Sequence, residues 1–307
     1  MKIRIATRSS KLALWQATHI KNRLENEHNG ISIEIIPIKT KGDISIDKPL
    51  YKIGGKGLFI KELEEKLLDN QADIAVHCIK DFHINIPENF ELLAVMERDS
   101  ESDVLLTKNK IQNIYDMNPG SIIGTSSLRR IFQLKKIRPD LLFHPLRGNI
   151  DTRISLLNKG DFDAIVLADA GLKRLGIEYE NKIIFCHSTM IPAVGQGALG
   201  IEIRKNDLKT KNLVAFLNHQ KSNIEIKCER AFVRALDADC RSAVGCFAKI
   251  IDESKIELEG IIGEVTSLIS YRGKIIGDIS DAEKIGIELA EKLLAKGAKN
   301  LIFKFRT

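Results

Sequence analysis

The chain has 307 residues, enough for two or three domains that each bury a core of their own. Hydrophobic residues at 44% and charged residues at 29% are the values of an ordinary folded protein and exclude a disordered or fibrous chain. A formal net charge of +6 admits nucleic acid, an anionic membrane surface or a small polyanion as partner, and does not choose among them.

The N-terminus enters strand-like alternation at Met1-Lys-Ile-Arg-Ile without the apolar run of a secretory signal. No stretch approaches the roughly 20 apolar residues that a membrane-spanning helix needs. The expectation is a cytoplasmic protein with no membrane partner. Five cysteines, Cys78, Cys186, Cys228, Cys240 and Cys246, are an odd, scattered set, so structural disulfides are not expected in a reducing compartment. Cys240 and Cys246 lack C-x-x-C spacing and a second nearby pair, and no metal site is expected.

In chain order the pattern predicts a strand over Lys2 to Ala6, a helix over Ser10 to Glu27 closed by Asn29-Gly30, and a strand over Ile31 to Ile38, a β-α-β unit with parallel pairing. After the polar stretch Thr40 to Lys52 and Gly54-Gly55-Lys56-Gly57, the spacing of Phe59, Leu63 and Leu67 predicts a helix leading into the apolar run Ala72 to Val76. From Asp103 the pattern restarts, with strands at 121–124, 141–144 and 164–168 alternating with helices at 126–137, 149–157 and 169–175. A strand over Leu199 to Arg204 and a helix over Asp207 to His219 return to one of these two sheets. Beyond Lys221 come one helix through Leu236, Gly-punctuated strands between Cys246 and Ile276, and a last helix. Its start, Ser280-Asp-Ala-Glu283, is a capping box, and Gly297 is its C-cap.

Arginines recur where strands end and helices begin: Arg8, Arg129 and Arg130, Arg147 and Arg153, and Arg174. In open α/β sheets those turns line the ligand crevice, and helix N-termini add N–H groups suited to carboxylates or phosphates. Any one of them also fits a solvated surface charge. As a set they oppose the helix dipoles and ask for a ligand with several anions.

Asp81 follows Lys80 at the end of a buried strand, where a carboxylate beside cationic groups stays ionised and can stabilise a developing cation. A surface ion pair worth less than about 1 kcal/mol fits the same residues. Gly54-Gly55-Lys56-Gly57 lacks the Ser/Thr and spacing of a Walker motif, so nucleotide binding is rejected, and a mobile lid fits better. Cys240 sits in a loop next to Arg241 and could be partly thiolate, although most lone cysteines are structural.

Thr7-Arg-Ser-Ser-Lys-Leu-Ala-Leu-Trp-Gln16, Gly55-Lys-Gly-Leu-Phe59, Lys80-Asp81, Gly124-Thr-Ser-Ser-Leu-Arg-Arg130, Leu146-Arg-Gly-Asn149, Ala170-Gly-Leu-Lys-Arg-Leu-Gly176 and Pro192-Ala-Val-Gly-Gln-Gly197 together resemble the hydroxymethylbilane synthase (porphobilinogen deaminase) family, in order and almost end to end. The resemblance implies two periplasmic-binding-protein-like (type II) α/β domains, 1–97 plus 198–218 and 98–197. A smaller C-terminal α+β domain, 219–307, then carries a dipyrromethane cofactor joined as a thioether to Cys240. It further implies a monomer that deaminates four porphobilinogen molecules and adds them to this primer, releasing hydroxymethylbilane and ammonia. Asp81 would be catalytic, stabilising the cation left by loss of ammonia.

The same resemblance gives Lys80, Ser126, Ser127, Arg129 and Arg130 to the cofactor, and Arg8, Ser10, Lys56, Phe59, Arg147, Arg153, Arg174 and Gln196 to the substrate and growing chain. Each ring brings an acetate and a propionate, which accounts for the arginines. This chain departs from the family pattern at several positions. Cys78 stands for a cofactor-facing serine and His83 for a turn proline. Asp239 and Ala243 stand in the usual Gly-Gly-Cys-x-x-Pro, and Asp169 places a carboxylate at the crevice edge. A solute-binding protein on the same fold is disfavoured by the absent signal sequence and by the third domain. A nucleic-acid binder is disfavoured because no basic stripe interleaves with aromatics.

Overall fold

A computed structural model describes residues 1–40, 42, 60–238 and 243–303, the last by its backbone alone. In chain order the elements are first β1 (Lys2–Arg8), α1 (Lys11–Glu27), β2 (Ser32–Ile38), α2 (Lys61–Leu68), β3 (Ile74–Cys78) and β4 (Phe90–Val95). Next come β5 (Asp103–Thr107), β6 (Ile122–Gly124), α3 (Leu128–Ile137), β7 (Leu142–His144), α4 (Ile150–Lys159), β8 (Ala164–Ala168), α5 (Asp169–Arg174) and β9 (Lys182–Ile184). Last are β10 (Leu199–Arg204), α6 (Leu208–Val214), α7 (Gln220–Ala235), β11 (Ala243–Ile250), β12 (Lys255–Gly263), β13 (Ser270–Asp278), α8 (Ala282–Leu293) and α9 (Lys299–Phe303). The chain divides into two compact units, Met1–Asp99 with Gly197–Ile224, and Ser100–Gln196 with Glu225–Thr307.

The sheet of the first unit has the order β2-β1-β3-β10-β4. β1 runs parallel to β2 and β3, as the β-α-β reading requires, whereas β10 enters antiparallel between β3 and β4. Alternation along β1 sends Ile3 and Ile5 to one face, where Ala17, Ile20 and Leu24 of α1 cover them at helical spacing. Ala6 turns to the other face and packs with Leu63 and Leu67 of α2. Helix α1 starts where Ser10 Oγ accepts the Ala13 N–H.

The second unit holds a sheet of order β7-β6-β8-β5-β9. β6 is parallel to β7 and β8, while β5 is antiparallel to β8 and β9. Apolar clusters cover both faces, around Leu105 and Ile123 on one and Leu106 and Ile165 on the other. The same unit contains the antiparallel sheet β11-β12-β13, whose strands pack against α8 through buried Ile285, Leu289 and Leu293. This is the smaller α+β part expected from the C-terminal third.

Two local expectations are corrected. Ser280 does not open a capping box: Asp281 is the N-cap of α8, with no side-chain cap bond. The Ser280 N–H and hydroxyl instead donate to Asp278 Oδ1 at 3.0 and 2.8 Å, because a carboxylate two residues upstream offers an Asx turn that outcompetes the cap. Gly297 adopts φ 113° as a C-cap would, yet the chain re-enters a helix at Lys299 rather than leaving it. Among the described residues no helix is long and apolar enough to cross a membrane.

Candidate active site

In the first unit, parallel pairing of Ala6 with Ala75 sends the ends of β1 and β3 to one edge of the sheet. Arg8, half-buried, closes β1, and Ser10 caps the helix that follows. β3 ends at Cys78 and tightens into a single turn, Ile79–Asp81, that leaves Lys80 half-buried and Asp81 exposed. Gln16 of α1 reaches the same edge and donates from Nε2 to Cys78 Sγ at 3.1 Å, so the thiol that stands in place of a serine is an acceptor here. Beneath it His77 Nε2 lies 2.8 Å from Glu202 Oε2, both buried, and the His77 ring packs on Phe82 at 4.7 Å.

In the second unit β6, β7 and β8 are parallel and share a carboxyl edge. The loop after β6 carries Ser126, whose hydroxyl donates to Leu146 O (3.0 Å) and accepts from Leu146 N (3.1 Å). That pair of bonds fixes the β6 loop to the β7 loop, which carries Arg147. Ser127 caps α3 through the Arg130 N–H. Arg153 donates from Nε to Gly148 O at 2.8 Å. Burial pushes the half-buried Arg147 guanidinium below its usual value, and Arg174 is buried on α5. Asp169 is buried beneath this edge, its two oxygens each 3.1 Å from a lysine, Lys182 and Lys173. Burial would raise its carboxyl, but hydrogen bonds from Ser100, Lys173 and Lys182 hold it below the usual carboxylate range.

Arg129 and Arg130 are both buried, and one carboxylate joins them. Asp103 Oδ2 accepts from Arg129 Nη1 at 2.6 Å, and Oδ1 accepts from Arg130 Nη2 at 2.7 Å and Nε at 2.9 Å. The antiparallel course of β5 explains the meeting, since it delivers its first residue, opposite Ala168, to the edge where its neighbours end. Burial alone would raise the Asp103 carboxyl; the two guanidiniums outweigh it and hold the group far below the usual range. Nothing in the sequence marks Asp103 beyond an acidic residue opening an apolar run.

The third sheet docks on the helix that carries these arginines. Phe132 of α3 packs with Ile191, Ala243 and Ile261, and Cys246 N donates to Pro192 O at 3.0 Å. Glu229 of α7, also missed from sequence, is buried and accepts from Gly195 N at 2.7 Å and from Ala248 N at 3.0 Å. It thereby straps the Pro192–Gly197 turn to β11. In that turn Gln196 is buried and donates from Nε2 to Glu101 O at 2.6 Å. Cys240, Lys56 and Phe59 lie outside the described residues, as does most of the stretch read as a lid. Four described cysteines are free thiols. Burial pushes Cys228 up to about 12, whereas hydroxyls of Ser188 and Thr189 bring the exposed Cys186 down to about 7.

Two α/β sheets with arginines at their strand edges, plus an α+β part braced on one arginine-bearing helix, define a class: an α/β protein whose strand edges carry cationic groups of the kind that hold carboxylates. A family model described as "Porphobilinogen deaminase, dipyromethane cofactor binding domain" matches residues 3–212, and one described as "Porphobilinogen deaminase, C-terminal domain" matches residues 223–295. The chain belongs to the porphobilinogen deaminase family. It accordingly polymerises porphobilinogen on a dipyrromethane cofactor, a transferase reaction of tetrapyrrole biosynthesis.

Among solved structures, the chain is similar to the probable amino-acid ABC transporter extracellular-binding protein YtmK of Bacillus subtilis, at 10% identity over 71% of this chain and 90% of that one, with a TM-score of 0.41. It is also similar to the BvgS VFT2 domain of Bordetella pertussis (12% identity, 75% and 92% coverage, TM-score 0.43) and to an ancestral cationic amino acid solute binding protein (15%, 70% and 87%, 0.42). The donor set of the second unit fits the cofactor. Paired guanidiniums at the start of a serine-capped helix match carboxylates in charge, the Nε–Nη2 fork of Arg130 being closed on Asp103.

Proposed function

We propose that Cys240 holds the dipyrromethane through a thioether, within three domains divided as the sequence suggests, and that one cytoplasmic monomer carries out all four additions. When bound, the cofactor supplies the pyrrole carbon from which the chain grows. Arg129 and Arg130, with Ser126, Ser127 and Lys80, hold its carboxylates. Arg8, Ser10, Arg147, Arg153, Arg174 and Gln196 orient the substrate and the lengthening polyacid, as Lys56 and Phe59 do on the strength of their motif alone. Asp81 is the catalytic residue. Its exposed carboxylate accepts the substrate's pyrrole N–H and balances the positive charge that develops as ammonia leaves.

One observation carries this reading. β11 begins at Ala243, three residues after Cys240, and packs on the helix that bears Arg129 and Arg130. Three residues span at most about 11 Å, which supports the reading that the tether and its anion holders share one neighbourhood. The test is the intact mass of the purified protein. We expect an adduct of two pyrrole units on the chain, lost together with activity in Cys240→Ser. An unmodified, fully active protein would refute the assignment.

A further inference from the structure

We propose that Asp103 is a positioning residue that sets the charge which Arg129 and Arg130 present to the cofactor, reducing two positive charges to one and fixing both side chains. The inference rests on the cofactor-holding role given above to the two arginines.

The Asp103 side chain is 0% exposed, and the two guanidiniums are 6% and 8% exposed. Each guanidinium has a second anchor besides the carboxylate. Arg129 Nη1 donates to Ile191 O at 2.8 Å, and Arg130 Nη1 donates to Val166 O at 2.8 Å. One side chain therefore fixes both planes against the middle of β8 and the 190–192 turn. Stability alone is a poor reason to build such a site. Removing charges from water is costly even for a matched pair, and these three groups leave one positive charge over. That surplus stands at the N-terminal end of α3, where the helix dipole adds to it. An arriving carboxylate cancels it. Without Asp103 the two guanidiniums would meet the ligand with twice the charge and no common anchor.

The readout is the rate at which the apo-protein gains the cofactor mass when given porphobilinogen, followed across a tenfold rise in salt. Salt screens the attraction between the guanidiniums and incoming carboxylates, so its effect reports the charge presented. Asp103→Asn should load more slowly than the wild type at physiological salt. Its rate should also fall by a further factor of about three to ten across the salt series, as expected when one more charge is neutralised by counterions. A purely structural carboxylate would slow loading without changing its salt dependence, and that result overturns the proposal, as do wild-type rates throughout.

Where Asp103→Asn fails to fold, Arg130→Gln, which leaves Asp103 and Arg129 as a matched pair, is compared with the double variant Asp103→Asn/Arg130→Gln, which keeps the one positive charge of Arg129. The double variant should show the steeper salt dependence; superimposable curves overturn the proposal. A wild-type chain that gains no adduct at all fails at the earlier step, and both readings fall with it.

Discussion

Buried carboxylates in this protein are held by donors, and the source of the donors differs from residue to residue. Asp103 is answered by guanidiniums, Glu229 by two backbone N–H groups from different elements, and Glu264 by the turn it precedes. Burial would raise the Glu264 carboxyl, but hydrogen bonds from the hydroxyl and amide of Ser267 and from the amide and hydroxyl of Thr266 bring it down to about 2. Because its folded value lies below the unfolded one, the stabilisation is complete above about pH 4.5 and is lost as pH falls towards 2. Glu264→Gln should therefore lower stability at pH 7 by about 1–3 kcal/mol. In urea titrations the difference from the wild type should shrink between pH 4.5 and 2. A gap of the same size at pH 2 would assign the effect to packing instead.

At the scale of elements, the approach of β11 to the second unit's α/β part depends on the absence of a side chain. A Cβ on Gly245 would lie 2.8 Å from Ile191 O and 3.0 Å from Pro192 O, both backbone atoms with little room to give. Gly245→Ala should lift β11 away from the turn and weaken the Cys246 to Pro192 bond, lowering stability by about 1–3 kcal/mol. It should also slow cofactor loading, because the strand begins three residues after Cys240; wild-type loading kinetics would separate the strand's position from the tether. Helices were the legible elements: Ser10 and Asp207 cap helices that the sequence begins at those residues, and Ser127 caps one that it begins a residue earlier. β4 and β5 were missed because their apolar residues run without alternation, β5 being buried along its whole length, and β9, no shorter than β6 and β7, because no helix follows it to mark its end. In the site, the arginines were readable because strand-to-helix turns are local. Asp103 was not, because it reaches them through a strand pairing across more than sixty residues.

At the scale of the whole molecule, the chain leaves the first unit after Asp99, returns at Gly197 and leaves again after Ile224. The returning strand is an interior one. β10 lies between β3 and β4, pairs with both, and is the only neighbour of β4 in the sheet among the described residues. It also brings Glu202 to His77, and Ile201 and Ile203 to the core that α1 covers. The first sheet is thus completed only after all of residues 100–196 have been made, a long loop to close before its contacts repay the entropy. A fragment ending at residue 196 would contain β1 to β4 and both helices that flank them, yet leave β4 without a partner and the β3 edge open. We expect such a fragment to show no slowed hydrogen exchange at those amides of Phe90–Val95 that pair with β10 in the full chain. If those amides were protected equally in the fragment, the first sheet would not need its returning strand.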